Sequence, residues 1–392
     1  MRTGLERLLA STPIRERILR GRVGFLTHPA AVTRDFVHAV TALRALGQRF
    51  EILFGPEHGY GGEAQDMATV GDARDAEGTL VRSLYGDRFE DLIPKADDLA
   101  RIDTLLVDMQ DVGSRYYTFV WTAVCAMRAC AERGTRVVVL DRPNPIGGGK
   151  NTLEGRLQNA RFRSFVGLEP IPIRHALTLG EIVAWRREVE KLDVPLEIVR
   201  CEWDREIGAG AWVLPSPNMP TRETALVYPG GCLIEGTNLS EGRGTTRPFE
   251  IVGAPFVDGV RLARDLASTK LPGFVARPIH FLPTFQKHAG KACGGVQIHV
   301  TDARTFRPVA TYVALVALAH HQNPERFAFR TERYEFVDDI PAFDLLTGDA
   351  EARERIARGD APTEVAEAVS TLRAGESDVW SAARDAGLRE SV

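Results

Sequence analysis

The stretch from Thr104 to Tyr117 decides the fold and reads TLLVDMQDVGSRYY. Its first four residues form a compact apolar run, which predicts a short buried strand over 104–107. The polar residues from Asp108 to Arg115 predict that this strand ends in a loop, and 116–133 has the apolar spacing of a helix. A buried strand, a polar loop and a helix form the repeating unit of a parallel α/β sheet.

The same unit occurs elsewhere in the first half of the chain. Strands are predicted at 22–27, 50–54, 136–140 and 196–201, and helices at 5–20 and 34–47. Three of these strands lead into the polar loops His28-Pro29, Gly55-Pro56-Glu57-His58-Gly59 and Asp141-Arg142-Pro143-Asn144-Pro145. Ligands of open α/β sheets bind outside the carboxyl ends of the strands. These loops, together with the one after 104–107, therefore predict one site at one sheet edge.

The pattern changes beyond about residue 195. The segment from Trp212 to Pro255 is rich in Pro, Gly and Asn, and helices at 258–268 and 308–321, strands near 274–280 and 295–300 and a charged helical tail follow. The sequence therefore predicts an α/β protein in which a Rossmann-like parallel-sheet domain (1–240) precedes a smaller α+β domain (241–392). The boundary between them falls within 230–260.

Composition excludes several classes of protein. The 392 residues are 44% hydrophobic and 26% charged, which suits a chain with a sizeable core, and the net charge of −4 comes without a basic stripe. We therefore expect no nucleic-acid partner. The apolar stretch 310–319 is too short to span a bilayer, and the first 22 residues contain no apolar signal region. A cytoplasmic protein without membrane contact is expected, or a secreted or periplasmic one if a leader has been removed.

Common catalytic motifs are absent from the sequence. Gly147-Gly148-Gly149-Lys150 is not a phosphate-binding loop, because Asn144 replaces its first glycine and Asn151 its Ser or Thr. No G-x-S-x-G elbow and no H-E-x-x-H pair occurs, and the five cysteines form no C-x-x-C spacing. Nucleotide binding and serine-hydrolase chemistry are therefore not expected, and the sequence contains no recognisable metal-binding motif.

Three polar stretches carry the candidate residues. Glu57 and His58 lie between glycines after a strand, where an acid and an imidazole suit general acid/base work, although a solvated turn would look similar. Asp108 and Arg115 are better candidates than Asp111 and Ser114, which could cap the following helix. The third stretch, from Glu235 to Thr246, alternates small residues with Glu, Asn and Arg and has no apolar face.

Taken together, these motifs resemble the exo-β-N-acetylmuramidase NamZ family, long known as DUF1343. The resemblance is carried by GPEHG (55–59), DMQDVGSRYY (108–117), DRPNP (141–145), PSPNMP (215–220) and EGTNLSEGRGT (235–245), closed by PFE (248–250) and GAP (253–255). The motifs occur in the family's order. One departure is His28-Pro29-Ala30-Ala31, where the family usually has an Asn-Pro-Thr/Ser-Gly loop.

The resemblance implies a Rossmann-like domain, a smaller second domain and an active site in the cleft between them. It also implies release of N-acetylmuramic acid from the non-reducing end of peptidoglycan glycans without a cofactor. The candidate catalytic residues are Glu57, His58, Glu241 and Asp108. The candidate substrate-binding residues are Arg115, Gln110, Asp141, Asn144, Asn218, Asn238 and Arg243.

Glycoside hydrolysis commonly uses two carboxylates, one protonated and one ionised. Glu57 is the best candidate for the first, and Glu241, Asp108 and Asp141 compete for the second. Alternatively, the acetamido carbonyl of the sugar could serve as nucleophile. Arg115 or Arg243 could bind the lactyl carboxylate of the sugar through a two-pronged contact.

Two other functions remain open at this stage. The first is a metal-dependent hydrolase that uses Asp108, His58 and Asp141, and the second is a non-catalytic amino-sugar-binding protein. The partners expected are peptidoglycan fragments that contain N-acetylmuramic acid, and a homodimer is allowed.

Overall fold

The computed structural model of the protein describes residues 1–65, 71–208 and 211–392. It confirms the predicted fold class, with a seven-stranded, mostly parallel sheet and a smaller three-stranded antiparallel sheet. The large sheet contains β1 (Val23–Thr27), β2 (Ile52–Gly55), β3 (Ala73–Arg74), β4 (Leu80–Ser83), β5 (Thr104–Asp108), β6 (Arg136–Leu140) and β7 (Leu196–Val199). The small sheet contains β8 (Ile251–Ala254), β9 (Phe274–Phe281) and β10 (Cys293–Val300).

Strand order in the large sheet is β3-β4-β2-β1-β5-β6-β7, and β3 is the strand that runs antiparallel to its neighbour. Every residue of β1, β2 and β5 is buried, as expected of parallel strands covered on both faces. The register brings Thr27 of β1 beside Asp108 of β5. The loops after these central strands therefore start at one edge of the sheet.

The helices cover the sheets and form the C-terminal tail. Their bounds are α1 (Gly4–Ala10), α2 (Thr12–Ile18), α3 (Ala39–Arg44), α4 (Ala96–Leu99), α5 (Phe119–Ala131), α6 (Leu179–Glu190), α7 (Arg222–Gly231), α8 (Gly259–Ser268), α9 (Pro308–Gln322), α10 (Ala342–Thr347), α11 (Glu351–Arg358), α12 (Pro362–Ser370) and α13 (Asp378–Arg389). No helix in these ranges combines the length and apolar character needed to cross a membrane.

The structure corrects three details of the sequence prediction. The single helix predicted at 5–20 is two helices, because the Ser11 hydroxyl accepts the Ile14 N–H and starts a new helix with Pro13 in its first turn. The helix predicted at 34–47 is shorter in the structure, where α3 spans Ala39–Arg44. The irregular segment predicted between Trp212 and Pro255 contains α7, which is buried over most of its length despite Pro229.

The two halves of the chain share one apolar core, which includes Leu105 of β5 and Val313 of α9. Glu154, from the first half, accepts the backbone N–H groups of Val309 and Ala310 at 3.2 and 2.9 Å. These donors belong to the first turn of α9 and have no partner within the helix. This contact joins the start of α9 to the first half of the chain.

Candidate active site

Glu57 lies two residues beyond the end of β2. The loop folds back so tightly that a Cβ on Gly55 would lie 2.3 Å from the Tyr60 nitrogen, so glycine is required there. His58 has a positive φ of 69° within this turn. The Glu57 side chain is only 6% exposed, and its Oε2 accepts the Thr118 hydroxyl hydrogen at 2.6 Å. The turn therefore presents one oriented carboxylate at the edge of the sheet.

A pocket opens beside Glu57 and is lined by both halves of the chain. Its walls are formed by Glu57, His58, Tyr116, Tyr117, Thr118, Phe119, Val166, Ser216, Asn218, Met219, Tyr228, Cys232, Glu235, Arg243, Phe249, Tyr334 and Glu335. Three of these residues are buried glutamates, and Arg243 is the one arginine or lysine among these lining residues. The pocket therefore combines carboxylates, a guanidinium and aromatic rings.

Aromatic side chains make up much of the wall. Tyr117 packs edge-on against Phe119, with ring centroids 4.8 Å apart, and Tyr228 packs in the same way against Phe249 at 4.8 Å. The buried hydroxyl of Tyr116 has no hydrogen-bond partner in the described part of the chain. Buried polar groups are normally hydrogen-bonded, so a polar ligand group is a natural partner for this hydroxyl.

The positive charge of the pocket wall comes from Arg243, which is held by an ion pair and an aromatic ring. Glu235 forms an ion pair with Arg243 at 2.9 Å and accepts the Tyr334 hydroxyl hydrogen at 2.6 Å. The guanidinium of Arg243 lies over the ring of Phe249, 5.2 Å from its centroid. These contacts hold the guanidinium at the pocket wall.

Glu241 lies behind this arginine rather than in the pocket wall. Its carboxylate is 3.6 Å from Arg243 and 2.8 Å from Lys287. Burial raises the pKa of Glu241, but the charges of Lys287 and Arg243 outweigh that effect and hold it below its usual range. Glu241 is therefore ionised and paired, which suits it to orient Arg243 and not to donate a proton.

Four of the predicted site residues come together at the pocket: Glu57, His58, Asn218 and Arg243. The Asn218 amide donates to Oε1 of Gln65 at 2.9 Å, and Nδ1 of His58 lies 2.8 Å from the Ala64 carbonyl oxygen. A link between the loop after β2 and the segment 215–220 is thereby formed at the pocket.

Asp108 and Asp141 lie outside the pocket wall. Asp108 is fully buried and forms a two-pronged ion pair with Arg142, with distances of 2.5 and 3.1 Å. Asp141 accepts the Gly180 N–H at 3.0 Å, at the start of α6, and burial raises its pKa to about 7. Both carboxylates hold the sheet edge together, which corrects the expectation that they face a ligand.

Three amide side chains that were predicted to bind substrate form hydrogen bonds to backbone groups instead. Gln110 donates to the carbonyls of Asp111 and Pro143, and Asn144 donates to that of Leu177. Asn238 donates to the Arg326 carbonyl and accepts the Ala328 N–H. None of the three lines the pocket, because their polar groups fix loops around it.

Arg115, the other arginine predicted to bind the substrate, lies outside the pocket. Its side chain is completely buried outside the pocket, and its guanidinium donates to the carbonyls of Arg156, Ile171 and Leu346 at 2.7–3.0 Å. A fourth bond goes to Oε1 of Gln158 at 3.1 Å. The structure therefore does not bring Arg115 to the pocket, where it was expected to bind the lactyl carboxylate, because its guanidinium donates to the surrounding backbone.

Two carboxylates of the pocket wall are not among the site residues predicted from the sequence. Glu235 opens the unusual polar stretch 235–246, and its place in that stretch is the signal that could identify it. Glu335 lies in the tail, in a segment without a recognisable motif. In the described ranges no three His, Cys, Asp or Glu side chains are grouped to hold a metal ion.

Two family models match most of the length of the chain. Residues 23–223 match the family model for the N-terminal part of exo-beta-N-acetylmuramidase NamZ, and residues 226–378 match the model for its C-terminal part. The chain belongs to the NamZ family. The resemblance seen in the sequence motifs is thereby confirmed.

Individual relatives cover nearly the whole chain. The peptidoglycan beta-N-acetylmuramidase NamZ of Bacillus subtilis (strain 168) is 41% identical over 367 residues, which cover 92% of this chain and 85% of the relative. Two crystal structures of DUF1343 family proteins from Bacteroides fragilis NCTC 9343 are also similar. One has a TM-score of 0.84 at 29% identity, covering 99% of this chain and 98% of the other. The second has a TM-score of 0.73 at 25% identity and covers 98% of each chain.

His28 occupies the loop in which this chain departs from the family pattern. Its Nε2 accepts the Gln110 N–H at 2.8 Å, so the proton is on Nδ1, which lies 3.4 Å from the Pro215 carbonyl oxygen. Burial, with the charge of Arg142 as the next contribution, lowers the pKa of His28 to about 3. A neutral His28 therefore joins the loops after β1 and β5 to the segment that supplies Ser216 and Asn218.

We expect His28→Asn to flatten the dependence of stability on pH. In the unfolded chain His28 becomes protonated near pH 6.5, whereas in the folded protein it becomes protonated only near pH 3. The free energy of unfolding therefore decreases as the pH falls below 6.5. Between pH 8 and 5 this loss is about 2 kcal/mol for one such histidine. Urea unfolding of parent and variant at both pH values measures it. The same change at exposed His280 is the control, and an unchanged slope in His28→Asn would contradict the assignment.

Proposed function

We propose that the protein is an exo-acting glycoside hydrolase that releases N-acetylmuramic acid from the non-reducing end of peptidoglycan-derived glycans. The observation that carries this proposal is the pocket, in which buried glutamates, one guanidinium and aromatic rings surround the same space. The family and the 41% identical relative support the same reaction. A cytoplasmic location and a homodimer stay predictions.

The substrate supplies a partner for each kind of group in the wall. N-acetylmuramic acid has a polar rim of hydroxyl and acetamido groups, apolar ring faces and one carboxylate on its lactyl ether. Aromatic side chains such as Tyr117 and Tyr228 can cover an apolar face, and the Tyr116 hydroxyl can bond to the rim. The lactyl carboxylate requires a cation, and Arg243 is the guanidinium in the wall.

Glu57 is the proposed general acid. The hydroxyl of Thr118 holds one oxygen of its carboxyl group, which fixes the direction of the other. A protonated Glu57 can give its proton to the glycosidic oxygen as the bond from that oxygen to C1 breaks. Glu241 is proposed to act through Arg243 as a positioning residue, and His58 to shape the loop that carries Glu57.

Hydrolysis of 4-nitrophenyl N-acetyl-β-muramide tests the function, with the corresponding N-acetylglucosaminide as control. We expect release of nitrophenol from the muramide, much slower release from the glucosaminide, and no effect of EDTA. Binding of the muramide without turnover would favour a sugar-binding protein. Loss of activity in EDTA, restored by added metal, would favour a metal-dependent hydrolase.

Glu57→Gln should separate protonation from the rest of the reaction. The amide keeps the shape of the side chain and removes the proton, so kcat on an unactivated muramic-acid disaccharide should fall roughly 10²–10⁴-fold. Nitrophenol is a good leaving group and needs little protonation, so kcat/KM on the nitrophenyl substrate, which covers the steps up to cleavage of the glycosidic bond, should fall much less than kcat/KM on the disaccharide. Equal losses of kcat/KM on both substrates would contradict the role of Glu57 as general acid.

Arg243→Met should remove selectivity for the acidic sugar. A charge-assisted hydrogen bond is worth roughly 1.5–3 kcal/mol, so kcat/KM for the muramide should fall about 10- to 150-fold. The weak activity on the glucosaminide should hardly change. Arg247→Met is the matched control, since Arg247 follows in the same loop, is 43% exposed and lies outside the pocket wall. Equal losses on both sugars would mean that Arg243 does not bind the lactyl group.

A further inference from the structure

Glu335 occupies an unusual position in the backbone. The segment Tyr334–Val337 closes a two-residue turn, in which the backbone N–H of each end residue donates to the carbonyl of the other at 3.0 Å. The central residues Glu335 and Phe336 both have positive φ, 46° and 69°. A turn of this form strongly favours Asn-Gly or other glycine-containing pairs, because side chains raise the energy of that conformation.

The surroundings explain how this conformation is held and what it achieves. The Phe336 ring packs near the rings of Tyr85, Phe89 and Phe165, with centroids 6.1–6.3 Å apart. The Glu335 side chain is turned into the pocket and is 6% exposed, although Arg333 and Asp338 nearby are exposed. The Tyr85 hydroxyl lies 3.5 Å from its Oε2. Strain that is maintained by packing and that buries a carboxylate in a pocket is typical of a functional residue.

The other pocket carboxylates have different commitments. Glu57 is the proposed general acid, and both oxygens of Glu235 are engaged, one by Arg243 and one by the Tyr334 hydroxyl. Glu241 is paired with Lys287 and lies outside the wall. The strained turn that buries Glu335 in the pocket wall is therefore the observation that favours it, among these carboxylates, for a second catalytic role.

We propose that Glu335 is the second catalytic carboxylate of the reaction; this inference rests on the proposed glycosidase function. Glu57 gives its proton to the glycosidic oxygen, which keeps the electron pair of the breaking C1–O bond. In this role Glu335 acts as the base and takes the proton of the nucleophile that forms the new bond to C1. That proton comes from the attacking water, or from the acetamido N–H when the substrate's own carbonyl oxygen attacks.

Both routes balance. When water attacks, the products are the free sugar and the leaving alcohol, with the configuration at C1 inverted. When the acetamido oxygen attacks, the resulting oxazoline is opened by water, which returns a proton to Glu57, while Glu335 returns its proton to the nitrogen and the configuration is retained. The anomer formed first, observed by proton NMR of the parent reaction, distinguishes the routes.

Glu335→Gln is the principal test. Because Glu335 does not protonate the leaving group, kcat should fall roughly 10²–10⁴-fold on both the nitrophenyl muramide and the unactivated disaccharide. This pattern differs from that expected of Glu57→Gln, which largely spares kcat/KM for the nitrophenyl substrate. The parent kcat/KM should decline at low pH, where the base becomes protonated, and at high pH, where the acid loses its proton. Glu335→Gln should lose the decline at low pH. Replacement of a residue with only a structural role would leave both declines in place.

Two further variants complete the experiment. Glu332→Gln is the matched control, because its side chain lies three residues away and is 78% exposed, and it should keep the parent activity. Glu335→Asp keeps the carboxylate but shortens the side chain by one methylene. This change should lower kcat at least about tenfold and leave KM nearly unchanged. It provides the test even if the amide variant folds poorly.

The outcomes separate the two proposals. An inactive parent protein would overturn the proposed function itself. An active parent with near-parent turnover in Glu335→Gln or Glu335→Asp would overturn only the role of Glu335. A Glu335→Gln variant that folds, loses kcat and keeps both limbs of its pH profile would likewise overturn it.

Discussion

The buried ion pair between Asp108 and Arg142 organises the edge of the sheet on which the site depends. Asp108 is the last residue of β5, Arg142 follows β6, and the same guanidinium donates to the Val32 carbonyl in the loop after β1. A buried carboxylate is costly unless it is paired and hydrogen-bonded, so this geometry fixes all three loops together. The charge of Arg142 also helps to keep His28 neutral, and neutral His28 can accept the Gln110 N–H and reach the Pro215 carbonyl. The positions of Ser216 and Asn218 in the pocket follow from this chain of contacts.

The sequence was sufficient to predict the sheet and the edge that carries the site. Continuous apolar runs indicate buried parallel strands, and the strands found at Val23–Thr27, Thr104–Asp108 and Arg136–Leu140 match them to within a residue. It was not sufficient to separate polar residues that build the edge from those that face a ligand. Asp108 is the last residue of one buried strand and Glu57 follows another. Asp108 turns toward Arg142, in the loop after the neighbouring strand, whereas Glu57 turns toward the pocket. That direction depends on partners distant in the sequence.

The two glutamates that the sequence did not reveal depend on such distant partners. Glu235 reaches the wall because a short helical turn after α7 directs it toward Arg243 and Tyr334. Glu335 reaches it because aromatic residues from the first half of the chain hold Phe336 in a conformation that its local sequence disfavours. A motif search detects residues that are close in sequence and act together. Here Glu57, from the loop after β2, and Glu335, from the tail, line one pocket because both halves of the chain pack around the same core.

The charges around Arg243 explain how a pocket with several glutamates can accept an acidic sugar. Glu235 and Glu241 flank the arginine and would together more than cancel its charge. Lys287 offsets part of this excess, because its ammonium lies 2.8 Å from Glu241 and also donates to the carbonyls of Ile234 and Thr237. The lysine comes from the connection between β9 and β10 and does not line the pocket. Because Glu241 is paired with Lys287, it neutralises less of the charge of Arg243, and more of that charge is directed into the pocket. If Arg243 binds the lactyl carboxylate as proposed, its affinity for that group therefore depends partly on Lys287, a residue that does not touch the substrate.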